Sequence, residues 1–165
     1  MLNAGHETST NMLSHGLNEL INNGDQFKLL QKEPIRIDTA IDEILRFQPP
    51  IQINNRRCLE TTMLDDVTIP EGTPVHMIIA GANRDPSQFF EPEIFDISRS
   101  PNRHLSFGLG IHICAGINLA RLEAKVAFLR LMSSFKEINL LKKPNIAKRI
   151  RFREIKEMLV EVSSF

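Results

Sequence analysis

Apolar residues recur at helical spacing from the first turns of the chain. Leu13, Leu17, Leu20 and Ile21 predict one helix over residues 1–23, with Gly24 as its C-terminal stop. A short helix over 25–31 follows, with Asp25 as N-cap. Behind Pro34, residues 35–47 carry a single apolar stripe of Ile37, Ala40, Ile41, Ile44 and Leu45. Glu43 and Arg46 are three positions apart and fall opposite that stripe. Read from the helical wheel alone they form a surface ion pair worth less than ~1 kcal/mol. Pro49 and Pro50 end the helix, and residues 51–57 alternate as a strand does. Segments 67–69 and 75–79 flank the turn signal Pro70-Glu71-Gly72-Thr73, which predicts that they pair antiparallel with each other. Residues 82–99 are proline-rich and irregular.

The last apolar segment, 117–135, also reads as a helix. Ile117, Ala120, Ala124, Ala127 and Leu131 line one side of it, and Leu119, Leu122, Val126 and Leu129 the other. Only Asn118, Arg121 and Lys125 form a polar stripe, so this helix asks for burial from several directions.

Composition changes this picture little. The 165 residues are 42% apolar and 24% charged with zero formal net charge, which suits one globular domain and gives no bulk attraction to nucleic acid or membrane. The basic stretch of the tail is interleaved with Glu154, Glu157 and Glu161. No apolar run has the length of a membrane span, and no leader is seen at the start. Two cysteines, Cys58 and Cys114, make no disulfide framework and suit a reducing, cytoplasmic compartment.

The candidate chemistry lies around Cys114. It ends a glycine-punctuated loop and directly precedes a helix, where backbone N–H groups and the helix dipole favour thiolate. Gly108, Gly110 and Gly116 clear side chains from its surroundings, as close approach to a flat ligand requires. The run Phe107-Gly108-Leu109-Gly110-Ile111-His112-Ile113-Cys114-Ala115-Gly116 resembles the haem-binding loop of the cytochrome P-450 family, Phe-Gly-x-Gly-x-His/Arg-x-Cys-x-Gly. Ala4-Gly5-His6-Glu7-Thr8-Ser9 is similar to the family's central-helix signature, and Asn83-Arg84-Asp85-Pro86 to Arg99 to its meander.

The resemblance implies a mainly α fold with a small antiparallel β-region, the C-terminal part of the cytochrome P-450 fold, as one incomplete domain over 1–165. It implies haem b (iron protoporphyrin IX) bound through Cys114. Ala4 and Gly5 would leave a groove for dioxygen, and Glu7 and Thr8 would relay protons. Arg56 would reach a haem propionate, with Arg57 beside it as an alternative, and His104 and His112 would supply further propionate contacts. Phe107, Gly108 and Gly116 would shape the loop. Glu43, Arg46 and Arg99 would form a buried network, against the helical-wheel reading. Ile51, Gln52 and Ile53 would lie near the substrate.

The activity so implied is monooxygenation of a small apolar organic substrate, with electrons from a ferredoxin- or flavodoxin-type donor and its reductase, and with no nucleic-acid partner. Two alternatives stand beside it. One is a non-catalytic remnant or haem-binding fragment, since the chain opens inside a helix; on this reading the chain alone is inactive and leaves an apolar face open near Leu13, Leu119, Leu122 and Val126. The other is a small zinc or nucleic-acid module using Cys114 with His104 and His112, which lacks the close cysteine spacing of structural zinc sites.

Overall fold

Helices α1 (Leu2–Asn22), α2 (Gly24–Lys32) and α3 (Ile37–Phe47), with a short 3-10 turn at Pro34–Arg36, precede the β-region. The computed structural model describes residues 2–165, and side chains from Gly5 onward; the side chain of Ala4 lies outside the described residues. Strands β1 (Ile53–Arg57), β2 (Thr62–Leu64), β3 (Val67–Ile69) and β4 (Pro74–Ile78) come next, then the single turn α4 (Ile79–Ala82). A long irregular stretch leads through a 3-10 turn at Gly110–His112 to α5 (Ile117–Ser134). The chain finishes with β5 (Phe135–Leu140), β6 (Asn145–Ile146), β7 (Ile155–Glu157) and β8 (Val160–Ser164). The architecture is mainly helical with small antiparallel sheets, each of two strands among the described residues.

The core forms where α1, α3 and α5 meet. The α3 stripe of Ile37, Ala40, Ile41, Ile44 and Leu45 is buried there with Met12 and Leu20 of α1 and Ala124, Phe128 and Met132 of α5. Gly16 permits the close approach. A Cβ built on it would lie 2.6 Å from Phe128 Cζ and 2.9 Å from Ile44 Cγ2. Gly16→Ala is therefore expected to destabilise by about 1–3 kcal/mol through overpacking. The ~1 kcal/mol gained in helix propensity offsets only part of this. Urea midpoints of parent and variant measure the difference.

The structure revises several local expectations. Asn23, not Asp25, is the N-cap of α2, and Gly24 opens that helix instead of stopping α1. Segment Val67–Ile69 does not pair with the strand after the Pro70–Thr73 turn. It pairs with β2, Leu64 opposite Val67, across the two-residue loop Asp65-Asp66, where Asp65 has φ 48°. Aspartate tolerates that left-handed conformation, so the pair makes a tight hairpin without glycine. Strand β4 pairs with β1, Ile53 opposite Ile78 and Arg57 opposite Pro74. The intervening turn is closed against the end of β1, where Gly72 N–H donates to the Cys58 carbonyl and Cys58 N–H to that of Thr73. That pairing delivers β4 to β1.

Helix α5 buries one row, Ala124, Phe128 and Met132, spaced by four. Its other apolar side stays open, with Leu119 61%, Leu122 57% and Val126 55% exposed. Leu13, expected beside them, packs against the core. No helix among the described residues is long and apolar enough to cross a membrane.

The tail, unassigned by periodicity, folds back as strands. β5 pairs with β8, and β6 with β7. The stretch before β7 lies over α1, where buried His15 bonds through Nε2 to the Arg153 carbonyl. Burial lowers the His15 pKa from its usual 6.5, against the carbonyl bond and Glu19, which raise it; Arg153 adds to the lowering. The unfolded chain therefore binds the proton more readily than the folded one. The His15 contribution to stability is full above pH 6.5 and is lost as pH falls from there through the folded value. His15→Asn should flatten that part of a stability-against-pH curve measured by urea unfolding.

Candidate functional site

Stretches far apart in the chain meet around one cavity of about 520 Å³. Helix α1 contributes Thr8, strand β1 contributes Arg56, and the loop before α5 contributes Phe107, Gly108, His112 and Cys114. Ile51, from the link between α3 and β1, also lines it. Glu7, Gln52, Ile53, Arg57, His104 and Gly116 do not line it.

The Cys114 loop is closed by its own backbone. Cys114 N–H donates to the Phe107 carbonyl at 2.8 Å, and Gly108 N–H to that of Leu105 at 2.9 Å. Gly108 has φ +73°, and a Cβ on it would meet the His112 carbonyl oxygen at 3.1 Å, so glycine is required there twice over. Gly110 has φ +66°. Gly116 is the N-cap of α5 and leaves the space beside Cys114 Sγ clear, 3.9 Å from where a Cβ would stand. Cys114 is exposed and carries no disulfide.

Met12, Leu45, Ile79 and Ala120 add apolar wall, with Ser9, Asn54 and Ser106 as the further polar lining. Two cations, Arg56 and Arg151, stand among them with no carboxylate in the lining of the described residues. Arg56 donates to the Asn55 carbonyl at 2.8 Å and has no carboxylate partner among the described residues. A thiol, apolar walls and unneutralised guanidinium groups suit a large apolar ligand that carries anionic arms. Haem is such a ligand, and on this donor set the residues present fit it, with Cys114 as the sulfur and Arg56 as an anion partner.

His104, expected at a propionate, does not line the cavity. Its Nδ1 accepts from Ser106 N–H at 3.2 Å, and its Nε2 lies 3.3 Å from Asp42 Oδ1. Arg121 Nη2 reaches the same carboxylate at 2.6 Å. Burial on its own would raise the Asp42 pKa, but His104 and Arg121 outweigh it and hold the carboxyl below its usual range. Because His104 faces Asp42, the structure does not gather it with Cys114 and His112. Among the described residues no three His, Cys, Asp or Glu side chains group as a metal site, which removes the support for the zinc alternative.

Glu7 lies outside the cavity, 3.7 Å from Arg149 and 40% exposed in its side chain. Gln52 holds the tail instead of facing the cavity. Its N–H donates to the Arg151 carbonyl at 2.9 Å and its side chain to the Pro49 carbonyl. Arg151 and Phe152 thereby become cavity residues that the sequence reading missed. Their segment carries no assignment beyond its interleaved basic and acidic residues, and no local pattern marks them.

Beneath the cavity, Glu43 and Arg46 have fully buried side chains, so the helical-wheel reading of a surface pair is overturned. Arg46 spends all five of its N–H groups, two on Glu43 and three on the carbonyls of Asn83, Pro92 and Ile94. Arg99 Nε lies 3.3 Å from Glu43 Oε1, and its other nitrogens donate to the carbonyls of Phe90, Glu91 and Ile94. The two arginines thus hold the irregular stretch by its backbone, where no sheet or helix satisfies those carbonyls.

Comparison with known proteins places these features in one group. A family profile described as Cytochrome P450 matches residues 1–153. The biotin biosynthesis cytochrome P450 of Bacillus subtilis (strain 168) is 44% identical over 137 residues, covering 83% of this chain and 35% of that protein. The polyketide biosynthesis cytochrome P450 PksS of the same organism is 41% identical over 143 residues, covering 86% of this chain and 35% of that protein. The crystal structure of P450BioI in complex with an acyl carrier protein ligated to hexadec-9Z-enoic acid covers 97% of this chain at 40% identity, with TM-score 0.94, and 42% of that chain is matched. PksS superposes with TM-score 0.95 over 99% of this chain at 36% identity, with 43% of that chain matched. The chain therefore spans about a third of the length of these curated relatives.

Proposed function

This chain belongs to the cytochrome P450 family, and on that premise we propose that it is the haem-ligand portion of a bacterial haem-thiolate monooxygenase, with Cys114 as the iron ligand. The observation that carries the reading is the convergence of Thr8, Arg56, Phe107, Gly108, His112 and Cys114 on one cavity from three stretches of sequence. The portion is the C-terminal one and forms a single partial domain over residues 1–165. Bound there, haem supplies reductive activation of dioxygen and insertion of one oxygen atom into an organic substrate.

The residues of the chain bind, shield and deliver. Cys114 presents its sulfur from a loop that its own backbone closes, Gly108 N–H to the Leu105 carbonyl and Cys114 N–H to the Phe107 carbonyl, and Phe107 shapes that loop. Arg56 and His112 hold the anionic arms of the cofactor, with Arg57 as the neighbouring alternative. Thr8 stands on the cavity wall and passes a proton inward, and Glu7, at the solvent side near Arg149, is its source. Ala4 and Gly5 leave the groove open. His104 acts on the loop from its seat beside Asp42. Ile51 faces the substrate, with Gln52 and Ile53 behind it. Electrons come from a ferredoxin- or flavodoxin-type donor and its reductase, in the cytoplasm, and the substrate is a small apolar organic molecule.

A second reading, a haem-binding fragment without turnover, is favoured by the open apolar side of α5 at Leu119, Leu122 and Val126. One preparation separates the two. The chain is reconstituted with iron protoporphyrin IX, reduced and exposed to carbon monoxide. A Soret band at the family's red-shifted position supports thiolate ligation. Substrate-dependent consumption of reductant with a generic ferredoxin system then separates an enzyme from a fragment. A band at the position of a nitrogen-ligated haem would overturn Cys114 as the ligand, and no haem band at all would overturn both readings.

A further inference from the structure

A buried side chain outside the cavity ties the Glu43–Arg46 network to the cysteine loop. Asn83 follows α4 and is fully buried. Its backbone carbonyl accepts from Arg46 Nη1 at 3.0 Å. Its side chain faces the other way in function. Oδ1 accepts from Leu105 N–H at 2.8 Å, and Nδ2 donates to Ser106 Oγ at 3.0 Å. Ser106 Oγ in turn donates to the Leu45 carbonyl at 2.6 Å, in the last turn of α3 between Glu43 and the helix end. The next hydrogen bonds along the chain close the loop itself, Gly108 N–H to the Leu105 carbonyl and Cys114 N–H to the Phe107 carbonyl. One amide therefore satisfies both the donor and the hydroxyl at the point where the chain enters the loop, while its own backbone is held by the arginine of the buried pair.

We propose that Asn83 is a positioning residue for Cys114, fixing the entry of the cysteine loop through Leu105 and Ser106. The proposal rests on the reading of Cys114 as the haem ligand only for its consequence at the iron; the anchoring of the loop stands apart from it. An amide is required because the site asks for one acceptor and one donor on the same short side chain. Aspartate would keep the acceptor and lose the donor, and alanine loses both. Either change leaves the carbonyl that holds Arg46 in place, so the effect falls on the loop before it falls on the core.

The test uses the full chain in two states. Without haem, amide hydrogen exchange is followed at Leu105, Gly108 and Cys114, with Ile44 and Leu45 of α3 as internal references. Asn83→Ala is expected to speed exchange at the loop amides by about ten-fold, with the α3 amides nearly unchanged, as loss of a buried hydrogen bond in one local unit predicts. Ser106→Ala removes the same link from the loop side, keeps the measurement available should Asn83→Ala fold poorly, and is expected to act in the same direction. The double variant should add little to Asn83→Ala, because the two side chains share one bond. Loop and α3 amides accelerating together, or loop amides not accelerating, would overturn the proposal. With haem and carbon monoxide, Asn83→Ala should lose part of the thiolate band, and Asn83→Asp should retain more of it than Asn83→Ala. A full band in Asn83→Ala would overturn the consequence at the iron. Should Cys114→Ser keep the thiolate band, the ligand assignment fails, and the exchange result still decides the anchoring.

Discussion

Glu43→Gln is expected to cost about 3–5 kcal/mol, a large share of the ~5–15 kcal/mol that holds an ordinary domain together. The carboxylate accepts from Arg46 Nε and Nη2 at 2.8 Å, from Asp96 N–H at 2.9 Å, from Asn102 Nδ2 at 3.0 Å and from Arg99 Nε at 3.3 Å. Its side chain is fully buried, as is that of Arg46, and Arg99 is 11% exposed. Glutamine removes the anion that stands between two guanidinium groups. It also turns one of two accepting oxygens into an NH₂ that faces donors on either side. The desolvated cations are then left uncompensated, which is the costly half of breaking a buried pair. Urea unfolding followed by far-ultraviolet circular dichroism reads the loss directly. A change within about 0.5 kcal/mol, ordinary for surface positions, would mean that the pair is solvated.

Cys114→Ser should abolish the red-shifted Soret band of the reduced carbon monoxide complex, and Cys58→Ser should leave it intact. The two thiols are both free, so neither is protected by a disulfide. They differ in place. Cys114 borders the cavity with Arg56 and Phe107, whereas Cys58 lies beyond the end of β1 and donates to the Glu60 carbonyl at 2.9 Å. Serine preserves the loop's backbone bonds and its glycine turns, so a lost band reports the sulfur and not a collapsed loop. Loss of the band in Cys58→Ser alone would sink the assignment. Hydrogen exchange at the Cys114 amide in the serine variant checks that the loop has kept its shape.

The sequence by itself determined the elements whose signals are local. The stripe of α3, the apolar run of α5 and the Phe107–Gly116 loop are each written within a few turns of chain, because helix periodicity, glycine at positive φ and a cysteine before a helix act over short separations. The cysteine loop was legible down to single positions: Gly108 and Gly110 have the positive φ that glycine admits. What the tertiary structure decided involves partners far apart in sequence. Glu43 and Arg46 sit on the polar side of their helix and read as exposed on the helical wheel, burial being implied only by the family resemblance, and Arg99, Asn102 and carbonyls of residues 83–94 fold over them. The strand after Pro70–Thr73 joins β1 and not β3, since Asp65-Asp66 closes an earlier hairpin and Cys58 catches the turn. His104 is drawn to Asp42 beside Arg121, and Arg151 reaches the cavity because Gln52 tethers its backbone. Each outcome is settled by which buried donor finds which acceptor once the core has closed. That accounting runs over the whole molecule, because an unpaired polar group in the interior costs as much wherever its partner lies along the chain.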